Sequence, residues 1–574
     1  MARPFTPAPA AQQTRSSSAQ RMIRFRKVVM QASHGWISRL RGKFNGLSNL
    51  SIPTCTGLLL VSLLLSNCQS TSAPINKPES ASPLPTSNGI SYPVPAMPPE
   101  ALEAELSVTR QPPVNVPPAA TPTPPPGYVY LTQAGDTLPA LALRFQIDPQ
   151  MIQSDIPLPE KGLLRAGERL YLPVAALGGE PHQPLLPDSE LVYSPTASFF
   201  EVGEYLQRAG GYLANYSEYN QGIGWLSAAA IIERVGRNYS INPRLLLALL
   251  EDECGCVLGA LKDDVEPGYL LGIPGDGYQG LVRQVEWAAG ILSRGYYGWR
   301  SGALTEFPSA SGRTTRPFPA LNAGSVALAY YFASKNMITG GSAFNWRRAL
   351  DTRGGLPALY TRMFGDPWER ARTVEPLLPN GLAQPPLQLP FEVGAVWSFS
   401  SGPHPAWGMT GALAALDFAP AAPISGCVKS DTWVVAVADG LVVRSEAGVV
   451  VQELRLEGVE NSLDGLEETG WAILYLHIES RQRVPKGTYV RAGERIGHPS
   501  CEGGFATGTH VHLARKYNGE WMPADGPLPF VLSGWAAHAG AAEYQGTLTR
   551  GGQTVVARPN GSRDTLITLQ DDNG

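Results

Sequence analysis

The chain has 574 residues, 43% of them hydrophobic and 16% charged, with 61 Gly and 52 Pro. At roughly 150 residues per domain this length corresponds to about three or four domains, and the composition excludes both a coiled coil and a wholly disordered chain. Nine of the 45 Lys and Arg fall in the first 44 residues, which hold no Asp or Glu, and beyond them 36 basic residues face 49 acidic ones, which argues against nucleic acid as a partner.

Residues 1–67 read as a signal region. The apolar run Gly57–Leu65 is nine residues long, too short for a bilayer, which takes about 20. It suits the apolar core of a secretory signal, with Arg39, Arg41 and Lys43 as its positive flank. The run closes on Leu65, Ser66, Asn67 and Cys68, which resembles the lipobox of bacterial lipoproteins, although Asn67 departs from the small residue usual before the cysteine. The resemblance implies a lipid on Cys68 and an extracytoplasmic protein of the cell envelope, touching the membrane only through that anchor. Residues 68–127 form a Pro-rich linker, with 16 prolines between positions 69 and 126. At roughly 3.1 Å per residue in the polyproline conformation, it reaches on the order of 150 Å or more.

Residues 128–173 open with a β-rich stretch from Tyr128, followed by Gly135, Asp136, Thr137 and Leu138, where Asp136 or Thr137 can cap a helix. A second short helix is expected near Asp148 and Pro149, and a closing strand ends at Pro173. The segment resembles a LysM module, a βααβ unit, and the resemblance implies binding to glycans of peptidoglycan.

Residues 190–375 read as helical. Ser227 caps a helix with Gly236 as its stop, and Asn242 with Pro243 opens another that runs to Glu251. Further helices are expected from Leu281 to Leu292 and from Asn322 to Phe332. The stretch from Ile241 to Gly255, with Asn322, Ala323 and Gly324, resembles lysozyme-like lytic transglycosylases. Their chemistry needs one Glu with a raised pKa, here Glu253. The alternative is a helical scaffold in which Glu251 and Glu253 are solvated helix-end charges.

Residues 386–540 are β-rich, and five of the eight histidines fall between positions 404 and 512; the tail 541–574 has no clear motif. Val434–Arg444 reads as strand, turn and strand, and Trp471–Ile478 as a strand. Residues two apart on a strand share a face, so His510 and His512 can serve one site. His404, Asp417 and His477 supply further imidazole and carboxylate donors, a set that suits a four-coordinate zinc with one open position. The constellation resembles the lysostaphin-type (LytM-type) zinc metalloendopeptidases of peptidoglycan. The resemblance implies one Zn2+ on His404, Asp417 and His512, with His477 and His510 as the unligated catalytic pair. Twelve residues separate His404 from Asp417, where that family usually has three. Either a loop is inserted or His404 is not the first ligand, and the Gly-Pro-His-x-x-Trp-Gly setting favours insertion. His498 and His538 are expected at the surface.

In an oxidising compartment the remaining cysteines, Cys254, Cys256, Cys427 and Cys501, allow three pairings. A bridge between residues two apart would be strained, yet Cys254–Cys256 with Cys427–Cys501 keeps each bond inside one expected domain. The expected architecture is multidomain α+β: a small βααβ LysM module, a helical lysozyme-like middle domain and a mainly antiparallel β peptidase domain. The expected function is wall hydrolysis by a zinc endopeptidase with peptidoglycan as partner. The alternatives are a non-catalytic wall-binding activator or scaffold, and lytic transglycosylase activity from the helical domain.

Overall fold

The computed structural model describes residues 127–570 apart from 175–176, 309–313, 342, 423–424, 457, 459–461 and 560. The signal region, Cys68 and the Pro-rich linker to residue 126 lie outside the described residues. Among the described residues, no helix is long and apolar enough to cross a membrane.

The first unit is a three-stranded sheet of order β1-β3-β2, with a helix α1. Its elements are β1 (Tyr128–Leu131), α1 (Leu138–Phe145), β2 (Gln153–Ser154) and β3 (Arg169–Leu172). Thr137 caps α1. Asp136 instead turns inward, accepting from Tyr130 Oη at 2.7 Å and from Arg144 at 2.8 Å. The second helix expected near Asp148 is a three-residue 3₁₀ turn, Pro149–Met151, because the chain passes into β2 two residues later.

The helical unit contains α2 (Val202–Ala209), the hairpin β4 (Ser217–Asn220) and β5 (Gly224–Ser227), α3 (Ala228–Tyr239), α4 (Pro243–Cys254), α5 (Leu281–Ser301), α6 (Ala323–Thr339) and α7 (Leu356–Phe364). Local chemistry fixes several ends. The Ser227 hydroxyl accepts from Ala230 N and the Asn242 side chain from Arg244 N, with Pro243 at the first helical position. Gly236 does not stop α3, which runs on to Tyr239 and ends on Ser240 in the left-handed region. Gly236 is there for packing: a Cβ would lie 2.9 Å from the Ile241 carbonyl. The start of α5 carries no side-chain cap of its own; Glu218 on β4 accepts from Leu281 N at 2.6 Å, a carboxylate at a helix N-terminus. Both α5 and α6 extend well past their expected ends.

The third unit is an antiparallel nine-stranded sheet. Its strands are β6 (Val396–His404), β7 (Ala415–Pro420), β8 (Gly440–Glu446), β9 (Val449–Leu454), β10 (Trp471–Leu476), β11 (Tyr489–Val490), β12 (Val511–Tyr517), β13 (Glu520–Trp521) and β14 (Leu566–Thr568). The order is β11-β8-β9-β10-β12-β7-β6-β14, with β13 paired to β12. The edge strand β14 lies in the segment 541–574, as do Gly546–Arg550 and Gln553–Val556 of a separate four-stranded sheet. The β-rich unit therefore extends well past residue 540.

Both faces of the nine-stranded sheet are covered. Val449, Val451, Ala472, Leu474 and Leu476 join the core of the helical unit, whereas Val450, Ile473 and Tyr475 face a second core within the β-rich unit. This two-sided burial explains why β9 and β10 are apolar at nearly every position instead of alternating.

A buried ionic cluster crosses the same contact. Arg444 donates to Asn238 Oδ1 at 2.7 Å and to Glu467 Oε2 at 3.0 Å. Lys516 Nζ donates to the Arg237 carbonyl at 3.0 Å and stands 3.7 Å from Glu467. Burial opposes the charge on Glu467, but Arg444 and Lys516 hold its carboxyl below the usual range. Burial pushes Lys516 down to about 8. Arg444→Ala leaves Glu467 short of its bonded partner, and the expected loss is about 3 kcal/mol of stability. Paired with Glu467→Gln, the loss should be less than additive; denaturant unfolding of the single and double variants measures both.

Candidate metal centre

The sheet register assembles the site. On the central strand β12, His512 pairs with Asp417 of β7 on one side and with Leu476 of β10 on the other. Directly opposed residues have Cβ atoms about 4.5–5.5 Å apart, so Asp417 is brought to His512 by strand pairing alone. His404 closes β6 beside them, paired with Ala415. His477 follows the last residue of β10, and His510 precedes the first residue of β12.

Three donor atoms converge. His404 Nε2 is 3.0 Å from His512 Nδ1, and each is 3.2 Å from Asp417 Oδ1. All three residues are buried. The other ring nitrogens are committed: His404 Nδ1 donates to the Gly402 carbonyl at 2.8 Å and His512 Nε2 to the Ala406 carbonyl at 3.0 Å. In a neutral imidazole the nitrogen opposite the N–H is an acceptor. Two lone pairs and a carboxylate oxygen therefore face one another, and Asp417 Oδ1 is buried without a hydrogen-bond donor. Such a triangle repels itself unless a cation sits among its corners. Donors at about 2.0–2.1 Å from a tetrahedral ion would lie about 3.3 Å apart, close to the spacing observed. Among the described residues this is the group of His, Cys, Asp or Glu whose ligating atoms gather within 4.8 Å.

The other two histidines lie alongside. His477 and His510 have ring centroids 4.5 Å apart, and His510 Nε2 is 3.7 Å from Asp417 Oδ2. Each Nδ1–H donates to a backbone carbonyl, His477 to Glu502 at 2.8 Å and His510 to Gly508 at 2.7 Å. Their Nε2 atoms are left as free acceptors. Burial, with His510 and His512 as like-charged neighbours, lowers the His477 pKa to about 3. Burial also lowers His512. For His404 burial works the same way, but the Asp417 charge outweighs it and raises its pKa. Burial opposes the Asp417 charge, yet the imidazoles, His404 foremost, hold it well below the usual carboxylate range.

Other expected positions separate from this centre. Glu253 closes α4 and forms an ion pair with Lys335 of α6. A glycosidic general acid has to offer its carboxyl to the substrate oxygen, and the Glu253 carboxyl is engaged by Lys335 instead. Glu251 is half-buried and accepts from Val257 N and Leu258 N, both at 3.0 Å. Disulfides join Cys254 to Cys256 and Cys427 to Cys501. His538 is exposed, but His498 is buried rather than at the surface, with Nδ1 at 2.7 Å from the Thr432 carbonyl and Nε2 at 2.9 Å from Gln482 Oε1. Its burial follows from Trp433, whose ring covers it at 3.9 Å between centroids.

Sequence reasoning missed Tyr544. Its ring stacks on His404, with centroids 4.6 Å apart and planes 22° from parallel. It is held by Gly402 N donating to its carbonyl and by its own N donating to the Pro403 carbonyl. No pattern announces it, because a lone tyrosine in a segment without a motif gains its meaning from a strand 140 positions earlier in the chain.

Two parts of the chain match known families. Residues 184–378 match the family model "LasA, N-terminal domain", and residues 427–523 match "Peptidase family M23". Two Protease LasA sequences from Pseudomonas aeruginosa are 28% and 27% identical over 377 and 374 residues, covering 62% of this chain and 78% of theirs. The solved structures include the M23 metalloprotease pseudoalterin (23% identity, 30% of this chain and 96% of that one, TM-score 0.25). They also include the catalytic domain of lysostaphin from Staphylococcus simulans (23%, 22% and 87%, TM-score 0.16). The C-terminal domain is a peptidase domain of the M23 type. The chain that carries it is a LasA homologue. The M23 match spans His477, His510 and His512 but begins after His404 and Asp417, which the sheet supplies from β6 and β7.

Two expectations follow. With metal removed by a chelator, acid should destabilise the fold. His477 has a folded pKa below its unfolded value, so the unfolded chain binds the proton first as pH falls from about 6.5 toward 3. Asp417 and His512 act in the same sense and His404 in the opposite one. The melting temperature of the chelated protein should fall between pH 7 and 4, and His477→Gln should flatten that fall. Tyr544→Ala should weaken metal affinity by about 10-fold through loss of His404 orientation, while Tyr544→Phe keeps it, as read by competition with a chromogenic chelator.

Proposed function

We propose that the protein is a secreted zinc endopeptidase that hydrolyses an amide bond in peptidoglycan stem peptides or cross-bridges. The observation that carries this reading is the buried convergence of His404 Nε2, Asp417 Oδ1 and His512 Nδ1, with two further imidazoles presenting free Nε2 atoms beside it. A zinc ion on those three atoms would supply Lewis-acid polarisation of a scissile carbonyl and of water. The chain's own residues do the rest. His510 Nε2 takes the proton of the attacking water, and Asp417 Oδ2 at 3.7 Å stabilises the ring once it is charged. The Gly508 carbonyl keeps Nδ1–H engaged, so Nε2 is the atom that gains the proton and returns it to the leaving amine. His477, kept neutral by burial, orients the water through its Nε2.

Targeting to the wall is assigned to residues 128–173, whose pattern resembles LysM, and retention at the envelope to Cys68. The M23-type domain and the Protease LasA relatives support proteolysis; the Lys335 ion pair weighs against glycan cleavage at Glu253.

The deciding experiment compares four variants by elemental analysis and by mass spectrometry of digested wall. His512→Ala and Asp417→Ala should lose both metal and activity. His510→Ala and His477→Ala should keep near one metal per chain while hydrolysis falls by ~10²–10⁴-fold. New sugar ends in the digest would favour the helical domain as the enzyme, and unchanged metal content in all four variants would refute the metal centre.

A further inference from the structure

The Cys427–Cys501 disulfide lies between segments that hold the two histidines outside the ligating triangle. Cys501 is flanked by Ser500 and Glu502. Ser500 grips the His477 carbonyl twice, through N at 2.7 Å and Oγ at 2.9 Å. Glu502 accepts the His477 Nδ1–H at 2.8 Å, and its own N donates to Ser500 Oγ at 3.0 Å. The residues on either side of Cys501 thus fix both the backbone and the ring of His477.

Cys427 does the same for His510. Its neighbours Gly426 and Val428 offer carbonyls to Thr509, from N at 3.0 Å and from Oγ1 respectively. Thr509 immediately precedes His510, and His510 forms a β-bridge with Ser500. The covalent bond closes a ring that runs from the His477 clasp through the two sulfurs to the His510 support.

His477 needs such a clasp. Its φ is +68°, a left-handed backbone that a β-carbon disfavours. A residue in that region persists only where its surroundings over-determine it. Here they do so through Ser500, Glu502 and the bond from Ile478 N to the Gly448 carbonyl. The ligand imidazoles are oriented elsewhere, by the Gly402 and Ala406 carbonyls. Cys427 is exposed, whereas Cys254 and Cys256 are fully buried.

From these positions we propose that the Cys427–Cys501 bond is a positioning element for His477 and His510, and that a dithiol reductant switches hydrolysis down through it without releasing the metal. The step is thiol–disulfide exchange. A dithiol thiolate attacks one sulfur, the protein S–S bond breaks, and the second dithiol sulfur resolves the mixed disulfide. Two electrons and two protons end on Cys427 and Cys501, and the dithiol leaves oxidised. The inference rests on the endopeptidase reading.

The test uses the full metal-loaded chain, oxidised, reduced with dithiothreitol and reoxidised, beside the double variant Cys427→Ser, Cys501→Ser. Reduction should lower kcat on a wall peptide by roughly 10–100-fold, the scale of a misplaced catalytic group, with KM and metal content held and activity restored on reoxidation. The double variant should match the reduced protein and ignore the reductant. In spectra of ¹⁵N-histidine protein, the Nδ1–H signals of His477 and His510 should be lost to exchange on reduction, while the His404 Nδ1–H and His512 Nε2–H signals persist. Loss of metal on reduction, or a kcat and imidazole spectrum untouched by it, overturns the proposal. An oxidised chain that cleaves no wall peptide refutes the endopeptidase reading, and the imidazole spectra then still decide the positioning role.

Discussion

Everything at the centre of this protein depends on acceptors that face one another. His404 Nε2, His512 Nδ1 and Asp417 Oδ1 are turned to a common point at 3.0–3.2 Å, the imidazoles by hydrogen bonds on their far sides and Asp417 by its strand pairing with His512. The carbonyls of Gly402 and Ala406 choose the tautomer, and the tautomer chooses which nitrogen looks inward. Without a cation the arrangement costs free energy in a buried site, where charge and lone-pair repulsion are poorly screened. The fold therefore has to hold the triangle rigidly. It does so with paired strands, since β7 and β12 cannot slip by one residue without turning every inward side chain outward.

The rigidity has a second source in the helical unit. The nine-stranded sheet has no solvent face along β9 and β10, because α-helical side chains complete the core there. Hydrogen bonds repeat the message at the hairpin between β12 and β13: Trp521 N donates to Tyr297 Oη at 2.8 Å, and Arg300 pairs with Asp188 at 3.0 Å and Glu520 at 3.3 Å. A buried cation shared by carboxylates from two units leaves an unpaired charge if the units part.

What the sequence made legible is whatever short-range chemistry decides. The period-two spacing of His510 and His512, the cap at Asn242 with Pro243, and the apolar run from Trp471 are each local and each meets its counterpart in the fold. The illegible features are set across the chain. Gly236 looks like a helix stop until the Ile241 carbonyl is seen beside it. His498 looks like a surface residue until Trp433 lies over it. The strands after residue 540 carry no motif because their role, stacking Tyr544 on His404 and closing the sheet edge beside β6, exists only after β6 is in place. Asp136 and Thr137 were equal candidates for the cap of α1; the buried Arg144 decides between them by claiming Asp136.

The long interval between His404 and Asp417 shows how these levels meet. The ten residues between β6 and β7 are more than a strand connection needs, and the surplus is used. Ala406 turns its carbonyl to His512, so the loop orients a donor that belongs to neither of the strands it joins. From two residues on, the same loop meets the helical unit. Gly408 and Gly411 both have positive φ and pack where a Cβ would strike Tyr239 and Ser293, and Thr410 Oγ1 donates to the Gly290 carbonyl at 2.9 Å. A loop pinned at its tip by α3 and α5 and at its base by His404 has little freedom to carry the Ala406 carbonyl away. The tautomer of His512, and with it the direction of one of three donor atoms, is thus tied to the packing of a helical unit that contributes no ligand to the triangle.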